Sequence, residues 1–123
     1  MAHVLLLGHT KHEMEISEVL ARNFHVLTSF PSIPQAIDSM RFLQPDVVLV
    51  PENTSATARA DIVQRVQKVS PAAKLVFLYE HYIDSAQFAD AIVDAKGDTS
   101  YLIEAIDFVC LRQGSIWKSA VAA

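Results

Sequence analysis

The sequence predicts one α/β domain, a five-stranded parallel sheet with helices on both faces. Three observations carry this. Five short runs are rich in apolar residues, the first of them apolar throughout, as strands covered on both sides are. The stretches between them mostly repeat apolar residues at helical spacing. Runs and stretches then alternate along the whole chain, which is the order of a parallel sheet with right-handed crossovers.

Val4-Leu5-Leu6-Leu7 is the first strand, ended by Gly8. Thr10 and Glu13 have the spacing of a capping box, and the helix they open turns Ile16, Val19, Leu20 and Asn23 to one side. His25 to Thr28 reads as a second, shorter strand. Ser32 and Gln35 repeat the capping-box spacing with Pro34 in the first turn, and Ile33, Ala36, Ile37 and Met40 follow at i, i+3, i+4 and i+7. Asp46 to Val50 is the third strand, stopped by Pro51. After Asn53-Thr54-Ser55 comes a helix carrying Ile62, Val66 and Val69. Leu75 to Tyr79 is strand four. Asp84 to Phe88 is expected as a short helix and Ala91-Ile92-Val93 as strand five. Asp98 caps a last helix with Leu102, Ala105, Ile106 and Val109 on its inner face.

At 123 residues and 51% hydrophobic content the chain is sized for one buried core. We read 1–112 as the domain and 113–123 as a tail or the start of a linker. There is no apolar run of bilayer length and no signal-peptide pattern, so no membrane association and a cytoplasmic location are expected. The one cysteine, Cys110, excludes an internal disulfide and reads as a structural thiol in the last helix. The net charge is −4 and the ten Lys and Arg residues are scattered, so direct nucleic-acid binding is not expected.

In such sheets ligands bind beyond the carboxyl ends of the strands. The residues to inspect are therefore Gly8-His9, Pro51-Glu52, Tyr79-Glu80-His81 and Asp94-Ala95-Lys96. With three glycines and neither a dinucleotide nor a Walker signature, nucleotide binding is not expected. No Ser-His-Asp or Cys-His constellation is suggested by position, so no enzyme activity and no cofactor are expected. Five histidines raise a metal reading, with His9, His12 and His81 beside Glu52 and Glu80. The spacing of His9 and His12 is not a specific ligand pattern, His12 is expected to be solvated in the first helical turn, and no metal site is assigned.

The order and spacing of the elements resemble the receiver domain of two-component response regulators, over Val4 to about Val109. The residues that carry the resemblance are Gln44-Pro45-Asp46-Val47-Val48-Leu49-Val50, Ser70-Pro71 and Leu102-Ile103-Glu104-Ala105-Ile106. Gly114-Ser115-Ile116-Trp117 is similar to the linker after the receiver in NarL/LuxR-type transcription regulators. The resemblance implies a flavodoxin-like, CheY-like fold of five βα units. It also implies five phosphoryl-transfer positions, and this chain departs from the pattern at each. The two acidic magnesium ligands fall on Gly8 and His9, the phosphoacceptor aspartate on Pro51, and the switch Ser or Thr on Tyr79. The lysine falls on Asp94, or on Lys96 with a shift of two. Proline offers no nucleophile, and Gly8 and His9 offer no carboxylate for magnesium. Glu52, one residue on, is expected to point to another quarter of the loop.

The resemblance thus implies a pseudo-receiver, a regulatory part of a two-component or transcription system that acts through protein contacts. A homodimer through the last helix is expected, with Tyr101, Phe108 and Trp117 as interface candidates, and an unknown signalling protein as a second partner. The alternative is a ligand- or metal-sensing domain that reuses the emptied pocket, which the exchanged residues would make less anionic and roomier.

Overall fold

In the computed structural model, residues 1–83 and 87–111 are described. The elements run β1 (His3–Leu7), α1 (Glu13–Arg22), β2 (Val26–Phe30), α2 (Ile33–Leu43), β3 (Val47–Val50), α3 (Ala56–Val69), β4 (Lys74–Tyr79), β5 (Ala91–Asp94) and α4 (Thr99–Leu111). All four strand pairings are parallel and the sheet order is β2-β1-β3-β4-β5. This is the five-stranded flavodoxin-like arrangement.

The fully apolar strands are explained by the two layers they separate. Val4, Leu6, Val47, Leu49, Val76 and Leu78 face α1 and α4, which contribute Ile16, Leu20, Leu102, Ile106 and Val109. Their sequence neighbours Leu5, Leu7, Val48, Val50, Leu75 and Phe77 face α2 and α3, which contribute Met40, Ile37, Ile62, Val63 and Val66. Because side chains alternate across a strand, each run supplies both cores at once. Asp46 organises the opposite edge of the sheet. Its carboxylate accepts from the His3 amide at 2.8 Å, and its carbonyl accepts from Lys74 at 2.9 Å.

Several local expectations are corrected. The capping box at Thr10 and Glu13 does not form: the N-cap of α1 is His12, and the Thr10 hydroxyl is directed elsewhere. Ser32 is the N-cap of α2 but makes no side-chain cap, although Pro34 does sit in the first turn. Asp98 does cap α4, accepting from the Ser100 amide at 2.9 Å. The helix expected at Asp84 to Phe88 falls partly outside the described residues, and Gln87-Phe88 form a turn in which Phe88 has φ 68°. Four helices, not five, are therefore found among the described residues. Cys110 lies in α4, one residue before the last described one. The stretch 113–123 and Trp117 lie outside the described residues.

Candidate functional site

Strand order reverses between β1 and β3, since the chain moves outward to β2 on one side and to β4 and β5 on the other. The loops that follow β1 and β3 diverge there and leave a crevice at the carboxyl edge. Val50 of β3 lies opposite Phe77 of β4, and Tyr79 opposite Asp94 of β5, which brings the loop after β4 to the same edge.

Gly8 leaves β1 with φ 107°, a backbone conformation that side-chain-bearing residues rarely adopt. The position of a Cβ on Gly8 would be 3.9 Å from Cγ of Pro51, so the proline ring lies against it. Pro51 is buried. The floor of the crevice is therefore hydrocarbon, and the expectation of a roomier pocket is not met at this point. The small cavity nearby, about 20 Å³, is lined by residues of α1, β4, β5 and α4 and by neighbouring loop residues, among them His12, Asp94 and Leu102, with Gly8, His9 and Pro51 outside its walls.

Beside this floor the edge is polar. Thr10 is buried, and its hydroxyl is 2.7 and 2.9 Å from the two oxygens of Glu52. The same hydroxyl oxygen accepts from the His12 amide at 3.3 Å, so one side chain connects the β1–α1 loop to the β3–α3 loop. Asn53 adds a second tie by donating to the His9 carbonyl at 3.2 Å. Glu80, just after β4, has Lys11 Nζ at 3.0 Å and His12 Nε2 at 3.6 Å from the same oxygen. The Lys11 ammonium holds the Glu80 carboxyl below the usual carboxylate range, against a smaller opposing effect of desolvation. Separation decides how the His12 contact is read: 3.6 Å is an ion-pair distance, too long for a hydrogen bond.

The sequence-predicted residues divide accordingly. His12, expected to be solvated, has a side chain only 19% exposed, and Glu80 is 16% exposed. His12, Glu52 and Glu80 each present a ligand atom, and the three atoms lie within 4.8 Å of one another. His9 and His81 do not join them. His9 is exposed with Nδ1 3.6 Å from Glu13, and His81 is exposed with Nε2 3.2 Å from Lys96 Nζ. Tyr79 and Asp94 end β4 and β5 half-buried, and Asp94 accepts from the Lys96 amide at 2.9 Å. Lys96 itself is exposed. Glu52 turns its carboxylate to the Thr10 hydroxyl. Thr10 is the residue that sequence reasoning missed as a site organiser, because its local pattern is also that of a cap.

A second surface lies on the β5–α4 side. Tyr101 and Phe108 of α4 are 58% and 43% exposed, and with Ile92, Tyr79 and Glu104 they line a shallow groove. Among the described residues, no helix is long and apolar enough to cross a membrane.

No protein-family model matches the sequence, and no curated protein matches it. Solved structures do. A response regulator receiver domain from Clostridium thermocellum superposes with a TM-score of 0.77 at 17% identity, covering 92% of this chain and 97% of that one. The receiver domain of a sensor histidine kinase from Pseudomonas aeruginosa, which carries magnesium in its active-site cleft, gives 0.74 at 11% identity over 89% and 97% of the two chains. The pseudo-receiver domain of the CikA protein gives 0.67 at 22% identity, covering 89% of this chain and 98% of that one. The chain has the fold of response regulator receiver domains, a pseudo-receiver among them.

Proposed function

We propose that the chain is a pseudo-receiver, a regulatory signalling domain of two-component type that works through protein contacts and without phosphoryl transfer. The observation that carries this is Pro51. It stands at the end of β3 where the receiver resemblance places the phosphoacceptor, buried with its ring against Gly8. An acyl phosphate needs a carboxylate oxygen there. Glu52 stands one residue past that position, with its carboxylate accepting from the Thr10 hydroxyl.

The output surface in this reading is α4 with β5. Aromatic residues at a groove are favoured anchors for a partner, and Tyr101 and Phe108 fit a second copy of the chain or another signalling protein. Trp117 extends the same proposal beyond the described residues. The domain is then non-enzymatic, located in the cytoplasm, and without a role of its own in nucleic-acid binding.

The test is an amide NMR spectrum with beryllofluoride and Mg²⁺, and separately with acetyl phosphate and Mg²⁺. No change is expected. Shifts centred on Gly8, Pro51-adjacent Glu52 and Tyr79 overturn the reading. Light scattering at high micromolar concentration tests the dimer: a dimer that Tyr101→Ala or Phe108→Ala converts to monomer supports the α4 surface, and a monomeric wild type removes self-association from it.

A further inference from the structure

We propose that His12, Glu52 and Glu80 form a site for a divalent transition-metal ion of the zinc class, which on binding clamps the three loops after β1, β3 and β4. The proposal stands apart from the phosphoryl-transfer question, because none of the three residues occupies a receiver phosphorylation position.

The donor set comes first. One imidazole nitrogen and two carboxylates, with their ligand atoms within 4.8 Å of one another, are ligand types that zinc takes, and three is the number found in zinc sites that leave a position for water. Ligand bonds of about 2.0–2.2 Å in a tetrahedral arrangement place donors roughly 3.3–3.6 Å apart. The present spread closes to that by movements of about 1 Å at the tips of two Glu side chains and a ring, a small rotation for residues of this length. The imidazole selects the ion. Mg²⁺ and Ca²⁺ prefer all-oxygen shells, whereas imidazole with carboxylate suits zinc and its neighbours.

The second observation is the state of His12. Its Nε2 is buried and has no hydrogen-bond partner among the described residues. Buried side-chain nitrogens nearly always have one. The groups that share its cluster are the carboxylates of Glu52 and Glu80. A cation coordinated by all three satisfies the nitrogen and offsets two negative charges in one step.

The third is support from behind. Ligating carboxylates are usually oriented by a further hydrogen bond, and Thr10 supplies it. The buried hydroxyl donates its one proton to the Glu52 carboxylate, both of whose oxygens lie within reach, while its own oxygen accepts from the His12 amide. Against these stands Lys11, whose ammonium is on Glu80 at 3.0 Å. Lys11 is 64% exposed and extends from the loop surface, so it can leave for solvent when a divalent ion arrives. Lys96 also acts on Glu80 through space, more weakly, and is exposed. Both lysines lower affinity without blocking access.

The full chain, freed of metal with a chelator, is titrated with Zn²⁺ alone by calorimetry. One ion per chain is expected at micromolar Kd, with a long-range ¹H–¹⁵N imidazole spectrum in which the His12 nitrogens shift and those of His9 and His81 do not. His12→Ala, Glu52→Gln and Glu80→Gln are each expected to weaken binding at least tenfold, and Thr10→Val about tenfold. His9→Ala and His81→Ala are expected to bind as the wild type does. No heat with Zn²⁺ up to about 100 µM overturns the site, leaving His12 as a ring beside Glu80 with no metal role. Shifts at His9 or His81 in place of His12, or equal binding of Mg²⁺, overturn it too. The imidazole spectrum reads the wild-type chain, so the answer does not depend on any variant folding. Failure here leaves the beryllofluoride result unaffected.

Discussion

Two halves of one crevice differ sharply over a few residues. At the β1/β3 floor, Gly8 and Pro51 meet as hydrocarbon against backbone. Next to them, Thr10, His12 and Glu52, from the following residues of the same loops, form a connected polar group with Glu80 from the loop after β4. The contrast teaches that chemistry at a strand end is set residue by residue and not by the fold. The fold supplies the place, and moving one position along the loop exchanges a closed apolar contact for a cluster of donors.

Three substitutions break or sharpen that contrast. The largest effect is expected from Pro51→Asp, which puts a carboxylate into the apolar half. A buried charge without donors costs about 3 kcal/mol or more, so urea denaturation should show a clear loss of stability. Beryllofluoride should still leave the spectrum unchanged, because Gly8 and His9 supply no acidic magnesium ligands. A stable Pro51→Asp chain that takes up beryllofluoride shows the apolar half to be a single-residue block.

A smaller effect is expected in the polar half. Thr10→Val keeps shape and removes the hydroxyl that bonds Glu52. Loss of a hydrogen bond to a charged group costs about 1.5–3 kcal/mol when buried, and Glu52 is half-buried, so about 1–2 kcal/mol is expected in urea. An unchanged midpoint shows that the Thr10–Glu52 contact does not hold the two loops together.

The smallest is electrostatic. The folded Glu80 carboxyl titrates below its ordinary value of 4.5, chiefly through Lys11. A depressed carboxyl contributes stability that is present above the unfolded value and is lost as pH falls through the folded one. The window therefore lies at and below about 4.5, and the contribution is slight because Lys11 is exposed. Carbon-detected NMR should place the Glu80 midpoint below 4.5 in the wild type and higher in Lys11→Met. Equal midpoints show the pairing is absent in solution.

How far the residues themselves reveal this can be judged at particular positions. Val47 to Val50 and Leu75 to Leu78 declare buried parallel strands because every position is apolar, and both cores use them. Pro51 declares its own lack of a nucleophile. Thr10 misleads, since its spacing to Glu13 is that of a cap while its partner Glu52 is 42 residues away. The segment before β5 is hard to read for a related reason. Asp90 spends its carboxylate on the Leu75 amide at 2.8 Å, a contact across the sheet that no local pattern announces.

The amino-acid sequence by itself determined the alternating α/β order, the apolar strands and the missing carboxylate at the end of β3. Each of these is a property of one residue or of neighbours a few positions apart. Only the tertiary structure decided which polar residues meet. His9, His12 and His81 are alike as letters. Packing the loops after β1, β3 and β4 at one sheet edge half-buries His12 beside Glu52 and Glu80 and leaves the other two in solvent. The physical reason is that a polar cluster depends on distances between elements, and those distances are set by how the sheet orders its strands.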